Sequence, residues 1–478
     1  MSFAGVLRQS CCVLLAAALA LSVRAAPLPA AFTAALAQAG IPLDHVALVV
    51  QPLDADTPWL SHNADAALNP ASVMKLVTSF AALHQLGPAY TWTTEVWADG
   101  VLEDGVLDGD LVVRGNGDPG LTLERIWLLQ RELRARGVRH VRGRLVLDSS
   151  RFDVPPVDPG AFDGEPLAPY NAAPGALVAN FSALRLRLRP QANQVLIEPD
   201  LALPAVTLVS ALVVDERAPC NGWRGGMRSL MPAADAALLV LSGRYPRSCG
   251  EQTVSLSLFP AAAGFDVAFR ALWAEAGGRI DGATVAGRAP DAEPLLTFAS
   301  EPLADALRRL NKYSNNLMAR NLYLSLGMEA CAAPATLEKS ERTVRALLAR
   351  HGVAAPKLVL ENGAGLSRIE RISADTLNQL LRAAYRSPLY AEFASALPIA
   401  AVDGTLRRRF NGSPASGSAH LKTGTLRDVS ALAGYVTSAS GERLALVMLV
   451  NHERAAHADA AQRVLLEWAW AGGGTAGR

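Results

Sequence analysis

Hydrophobic and polar positions run along this chain in more than one period. Apolar residues recur at helical spacing across residues 31–39, and residues 46–51 form an apolar run of strand length. Val73, Leu76, Val77, Phe80 and Leu83 then return to helical spacing. Asn69 suits an N-cap and Pro70 a first helical turn, so a helix is predicted to open near residue 70. A strand followed by a helix suits a mixed α/β or α+β domain.

Past Tyr90 the elements shorten. Strands predicted at 110–114 and 144–148 flank a helical stretch at 124–136, and the prolines and glycines of residues 154–174 predict a long irregular loop. Between about 184 and 258 the pattern changes to strict alternation, as in Leu184-Arg185-Leu186-Arg187-Leu188 and Thr253-Val254-Ser255-Leu256-Ser257-Leu258. Period two predicts a small β-rich module with one solvated face. Helical spacing returns at 264–276 and from 302 to the region of Ser314. A hairpin is predicted from 432–437 and 443–451 about a Ser-Gly turn, followed by a closing helix through Trp470 and a Gly-rich flexible tail at 471–478. No internal repeat is found.

At 478 residues the chain exceeds one compact core, and two or three domains are expected. Half of its residues are hydrophobic and 19% are charged, which suits packed domains and excludes a disordered chain. Lys+Arg 45 against Asp+Glu 44 leaves a formal net charge of +1, so no basic excess exists to neutralise a nucleic acid. Arg8, the apolar run of residues 11–21 and the small residues of Val23-Arg24-Ala25 predict a cleaved export signal ending at Ala25. That run is shorter than the ~20 residues that span a bilayer, and the rest of the chain is expected to be soluble with at most peripheral membrane contact. Of the cysteines beyond the signal, Cys220 and Cys249 can bridge in an oxidising compartment around Trp223 and Gly225-Gly226. Cys331 is left over and is expected to be a small buried hydrophobe.

Candidate chemistry begins at Ser72-Val73-Met74-Lys75. In a helix Ser72 and Lys75 share a face, so an amine reaches an alcohol nucleophile at the positive end of a helix dipole. Lys312-Tyr313-Ser314-Asn315-Asn316 places a hydroxyl and an amide where a loop or strand would point both into one cleft. His420-Leu421-Lys422-Thr423-Gly424-Thr425-Leu426 reads as an edge strand whose glycine leaves the backbone open to a ligand lying against it. Taken singly, each also reads as a capping serine, a turn, or a solvated lysine beside a bulge.

Together and in this order, Ser-x-x-Lys, Ser-x-Asn and Lys-Thr-Gly resemble the signature of serine penicillin-recognising enzymes. The long separation of Ser72 from Ser314, with Leu111–Leu121, Val402–Arg409 and the run around Lys422, resembles the class C low-molecular-mass penicillin-binding proteins, the exported D-alanyl-D-alanine carboxypeptidase/endopeptidases. Two departures stand out: Glu361-Asn362-Gly363-Ala364-Gly365-Leu366-Ser367-Arg368 replaces Asp-Gly-Ser-Gly-Leu-Ser-Arg, and Asn315 stands where aspartate is common. The resemblance implies an α+β multidomain fold, with an antiparallel sheet covered by helices and a two-part, β-rich insertion between the first two motifs. It divides the chain into a signal (1–25), a catalytic domain (26–95 and 297–470), an inserted domain (96–183 and 262–296), a small β-rich domain (184–261) and the tail.

The same resemblance implies roles. Ser72 attacks the penultimate D-alanine, Lys75 takes its proton, Ser314 passes a proton to the leaving group and Asn316 keeps Lys75 and the substrate in register. Lys422, Thr423 and Thr425 meet the substrate carboxylate beside Gly424, and the N–H groups of Ser72 and Thr425 form an oxyanion hole. Glu165 and Tyr170, after Asp163-Gly164, fall in the segment aimed at the diamino-acid side chain of the stem peptide. Peptidoglycan stems and cross-links are the implied substrates, β-lactams the covalent inhibitors and the periplasm the location; no cofactor and no metal is implied.

Other readings carry less. Gly115-Asn116-Gly117-Asp118-Pro119-Gly120 matches a dinucleotide fingerprint, yet Pro119 falls where N–H groups should face a pyrophosphate, so a turn at a domain junction is expected. His452 and His457 are five apart and leave the common face a zinc helix needs. Asp403 and Arg407 are expected to be structural. No Gly-x-Ser-x-Gly elbow is present. Two rival functions remain, an enzyme that hydrolyses β-lactams with the same site and a silent cell-wall-binding scaffold.

Overall fold

The computed structural model describes residues 27–203, 206–231 and 238–473. The predicted signal, residues 1–25, lies outside the described residues. So do residues 474–478 of the predicted tail, whereas Ala471, Gly472 and Gly473 donate to Glu467, Ala469 and Trp468 and finish the last helix.

An antiparallel five-stranded sheet forms the centre of one half of the molecule, in the order Ala419–Leu426, Val429–Thr437, Arg443–Asn451, Val46–Pro52 and Leu60–His62. Val46–Pro52 pairs with Arg443–Asn451 in a register that sets Leu48 opposite Met448, so the beginning and end of the described chain meet in mid-sheet. Both of these strands are almost continuously apolar because both faces of the sheet are covered. Val46, Leu48 and Val50 pack with Phe32 and Leu36 of the helix Ala30–Ala39 and with Leu465 and Leu466 of Asp459–Trp470. Ala47 and Val49 face the other way, onto Val77 of Lys75–Leu86 and Leu377 and Leu381 of Ala374–Arg386. Strand alternation thus divides one hydrophobic run between two cores.

The hairpin expected near the end turns at Ser440-Gly441, where Gly441 has φ 88°. Three further helices, Leu303–Tyr313, Asn316–Cys331 and Leu337–Arg350, pack on Lys75–Leu86 and complete the covered face. Cys331 differs from its expectation: it ends its helix exposed and unbonded, because the apolar stripe of that helix stops at Met328.

Residues between Thr93 and Ala299 build the insertion. The strand expected at 110–114 is the inner part of Val106–Gly115, the second arm of a long hairpin whose first arm, Thr93–Glu103, was not apparent in the sequence pattern, since its tip is polar and half exposed. Leu123–Ala135 then crosses to Leu145–Asp148, which lies parallel to Val106–Gly115. Leu184–Gln191 begins a second sheet of six described strands, with Leu184, Leu186 and Leu188 buried and the intervening arginines exposed. Its inner face shares one core with the first sheet through Phe265, Phe269 and Trp273 of the helix Ala261–Glu275. A disulfide joins Cys220 to Cys249 near Trp223, whose ring meets Tyr245 edge-on. The loop 154–174 is irregular except for a short 3-10 turn, and it returns the chain to the face where the three motifs lie.

Candidate active site

Ser72 does not open an α-helix. It lies in a 3-10 turn, Ala71–Met74, and the α-helix starts at Lys75. The reason is Ala71, which takes a left-handed φ of 46° while Asn69 Oδ1 accepts its N–H. Asn69 is itself tied to the sheet by paired hydrogen bonds with Asn451. Side chains three apart eclipse in a 3-10 turn, which brings the amine of Lys75 over the hydroxyl of Ser72 at 2.9 Å.

Lys75 is fully buried, and its Nζ also reaches Asn316 Oδ1 at 2.7 Å and the Ala364 carbonyl at 2.5 Å. An amine with two such acceptors and one hydroxyl has a definite direction for its lone pair. When neutral, it donates its two protons to Asn316 and Ala364 and turns the lone pair to Ser72. Burial, and secondly the positive charge of Lys422, hold the Lys75 amine well below its ordinary value.

The second motif sits at a junction of two helices, and neither in a loop nor in a strand as the spacing suggested. Ser314 ends Leu303–Tyr313 in the left-handed conformation, φ 56°. Asn315 caps the next helix by accepting from Met318 N, which any short acceptor side chain could do. That reversal lets Ser314 and Asn316 face one cleft. Asn316 holds Lys75 with its oxygen and donates its Nδ2 to the Tyr170 carbonyl.

The third motif lies on Ala419–Leu426, the outer strand of the five-stranded sheet. Lys422 is fully buried and donates to Ser314 Oγ at 2.8 Å and to the Thr423 carbonyl at 2.8 Å. Burial alone pushes its amine down to about 7. Leu421 sends its N–H outward to Pro398, so alternation places the N–H groups of Thr423 and Thr425 on the same outer edge. Thr423 Oγ1 is held by Thr405 Oγ1 at 2.8 Å. Gly424 also packs against the chain itself. A β-carbon there would stand 2.4 Å from the Pro70 carbonyl oxygen, so what it accommodates is the chain's own serine turn.

Glu165 and Tyr170 lie beside this cluster without joining it through their side chains. The Asp163 carboxylate accepts from Tyr170 OH, Asn171 Nδ2 and Glu165 N, which folds the loop on itself. Desolvation, then Asp163, raises the Tyr170 hydroxyl to about 12. Between this loop and the catalytic half lies a cavity of about 350 Å³ lined by Val157, Phe162, Arg320, Glu361, Leu366 and Arg368, with Arg368 stacked 4.2 Å over Phe162.

The floor of the site is the run 361–370, which the sequence marked only as a departure from Asp-Gly-Ser-Gly-Leu-Ser-Arg, with no role for Ala364 or Glu370. Ala364 accepts from Lys75, Gly363 O accepts from Thr78, and Glu370 accepts three backbone N–H groups from this loop. The glycines of the run were the available signal. Gly117 packs on the Phe152 ring and the 115–120 segment is a turn held by side chains, with Gly120 N on Asp118. Asp403 pairs with Lys312 at 2.5 Å and accepts from Ile399 N. Among the described residues no cluster of three or more metal-ligating side chains occurs.

Fold and site together define a serine hydrolase of the penicillin-recognising class, with a helix-covered antiparallel sheet and an alcohol, two amines and an amide in one cleft. The chain belongs to the D-Ala-D-Ala carboxypeptidase 3 (S13) family, whose profile matches residues 28–469. It is 33% identical over 402 residues to a D-alanyl-D-alanine carboxypeptidase of Actinomadura sp. (strain R39), covering 80% of this chain and 73% of the relative. To D-alanyl-D-alanine carboxypeptidase DacB of Haemophilus influenzae it is 26% identical over 397 residues, 82% of each chain. The crystal structure of penicillin binding protein 4 (dacB) from Haemophilus influenzae shares the fold, with a TM-score of 0.77 at 23% identity, covering 92% of this chain and 99% of that one.

Proposed function

We propose that this chain is an exported DD-peptidase that removes the terminal D-alanine from peptidoglycan stems and opens D-alanyl cross-links through an acyl-Ser72 intermediate. Ser72 Oγ attacks the carbonyl of the penultimate D-alanine while its proton moves to the lone pair of Lys75. The oxyanion that forms is met by the N–H groups of Ser72 and Thr425, each worth about 3 kcal/mol in such a site. The C–N bond then breaks and the leaving amine takes a proton from Ser314, whose hydroxyl is held by Lys422 and recovers the proton that Ser72 gave to Lys75. Lys422 meets the carboxylate of the leaving residue, with the Thr423 and Thr425 hydroxyls beside it. Water, deprotonated by Lys75, attacks the ester and frees Ser72.

The observation that carries this reading is the triple hydrogen bonding of buried Lys75, which aims its lone pair at Ser72. A side pocket bearing Arg320, Arg368 and Glu361 suits a stem side chain that ends in both an ammonium and a carboxylate. Glu165 and Tyr170, in the same loop as the lining residues Phe162 and Asn171, are proposed to meet the ammonium of that side chain. Periplasmic location is supported by the disulfide.

The test is incubation with a labelled penicillin followed by peptide mapping. Label on Ser72, lost in Ser72→Ala together with D-alanine release, is the expected result. Label on another residue, or D-alanine release that survives Ser72→Ala, overturns it.

A further inference from the structure

Glu370 is fully buried, lies outside all three motifs and is engaged on one oxygen only. Its Oε1 accepts N–H groups from Glu361 at 3.0 Å, Asn362 at 2.9 Å and Gly363 at 3.2 Å. Its Oε2 has no hydrogen-bond partner among the described residues. A carboxylate needed only as a loop anchor would not keep a bare oxygen in a dry site, because each unmet buried charge lowers stability.

The loop it grips is the floor of the nucleophile. Ala364, one residue beyond the last N–H held by Glu370, supplies the carbonyl on Lys75. Gly365 follows and lies against the Ala71 carbonyl. Asn362 braces the same turn by accepting from Ala364 N and donating to the Leu366 carbonyl.

We propose that Glu370 is a positioning residue for acyl transfer, holding the Ala364 carbonyl on Lys75 and supplying a buried negative charge that faces the cations Lys75 and Arg320. This rests on the reading of Ser72 as nucleophile and Lys75 as its base. The charged groups facing Lys75 are Lys422 and Arg320, which disfavour its protonated form, and Glu370, which favours it. Those facing Glu370 include Glu361, while Arg320 and Tyr323 respond to its charge. Burial, opposed by the three N–H bonds, raises the Glu370 carboxyl above its usual range. Glu370 therefore offsets two neighbouring cations and keeps Lys75 a competent proton acceptor.

Glu370→Gln separates charge from grip, since the amide oxygen still accepts from the three N–H groups. Acylation of the full exported chain by a fluorescent penicillin is followed from pH 5 to pH 10, with thermal unfolding alongside. In Glu370→Gln the ascending limb of the acylation rate is expected at lower pH than in the wild type, because Lys75 loses its proton more easily. The plateau is expected to be lower, because the base is weaker. Glu370→Leu, which leaves the loop without its acceptor, is expected to lose at least about tenfold in acylation rate. A Glu370→Gln profile superimposable on the wild type, with or without a lower Tm, would overturn the proposal while leaving Ser72 as the nucleophile. A wild-type chain that takes no label at Ser72 would instead overturn the reading on which it rests.

Discussion

Gly365 lies so close to Ala71 that a β-carbon on it would stand 1.8 Å from the Ala71 carbonyl oxygen. Gly424 makes a similar approach to Pro70, so two glycines confine the turn that carries Ser72. That confinement accounts for how Ala71 keeps a left-handed backbone, which costs an alanine about 1 kcal/mol or more when unsupported. It also makes the position of Ser72 a property of three segments from distant parts of the chain.

Gly365→Ala is therefore expected to displace the serine turn and to lower penicillin acylation by about a hundredfold or more, with a clear loss of Tm. Gly412→Ala is the control. It has a similar φ of 73° but open space around it, so it should cost about 1 kcal/mol of stability and leave acylation unchanged. Stopped-flow acylation and thermal melts of the two variants check this.

Lys75→Met should abolish acylation without unfolding the protein. Lys75 is buried beside Lys422, and an apolar chain of similar length removes the cost of burying its amine while leaving Asn316 Oδ1 and the Ala364 carbonyl without their donor, so the two effects oppose each other. The expected outcome is a folded protein with a Tm within several degrees of the wild type, together with no label from penicillin. A Tm well below the wild type would show that the amine holds the fold.

Lys422 predicts a descending limb in the pH dependence of kcat/KM. Its amine, lowered to about 7 by burial, is a cation below that pH in the free enzyme and neutral above it. Binding of a carboxylate-ended substrate should accordingly weaken as pH rises through about 7. The same group affects stability. Between about pH 7 and its unfolded value near 10.4, the unfolded chain binds the proton that the folded chain has lost, so stability rises with pH across that window. Lys422→Arg, whose guanidinium stays charged, should carry the descending limb of kcat/KM to higher pH. Lys422→Met should remove its share of the stability slope and leave that of Lys75.

The disulfide should matter for persistence and not for chemistry. Cys220 and Cys249 are 29 positions apart and lie in the β-rich insertion. Their replacement by serine is expected to lower unfolding free energy by about 3 kcal/mol. Acylation rates at 25 °C should stay within twofold of the wild type, measured by penicillin binding and chemical denaturation.

Each motif was legible because its signal is local. Ser72 and Lys75 stand one turn apart, Ser314 and Asn316 lie two apart although the helix junction that holds them was not read, and the alternation around Lys422 marks a strand. The doubly buried strands were legible too, as apolar runs. The strand Thr93–Glu103 and the outer part of Val106–Gly115, beyond the expected 110–114, were not, because their half-exposed residues carry no clean period. Cys331 could not be placed, since a cysteine at a helix end is buried or exposed according to what packs there.

By itself, the order of residues determined which side chains were available, where strands and helices would form, and which short-range pairs would share a face. Only the folded chain decided that Ala364, 289 positions beyond Lys75, would direct its lone pair, that Gly365 and Gly424 would confine the serine turn, and that Glu370 would lie beneath them. Those relationships come from close packing between segments remote in sequence, whose contact distances no local pattern encodes.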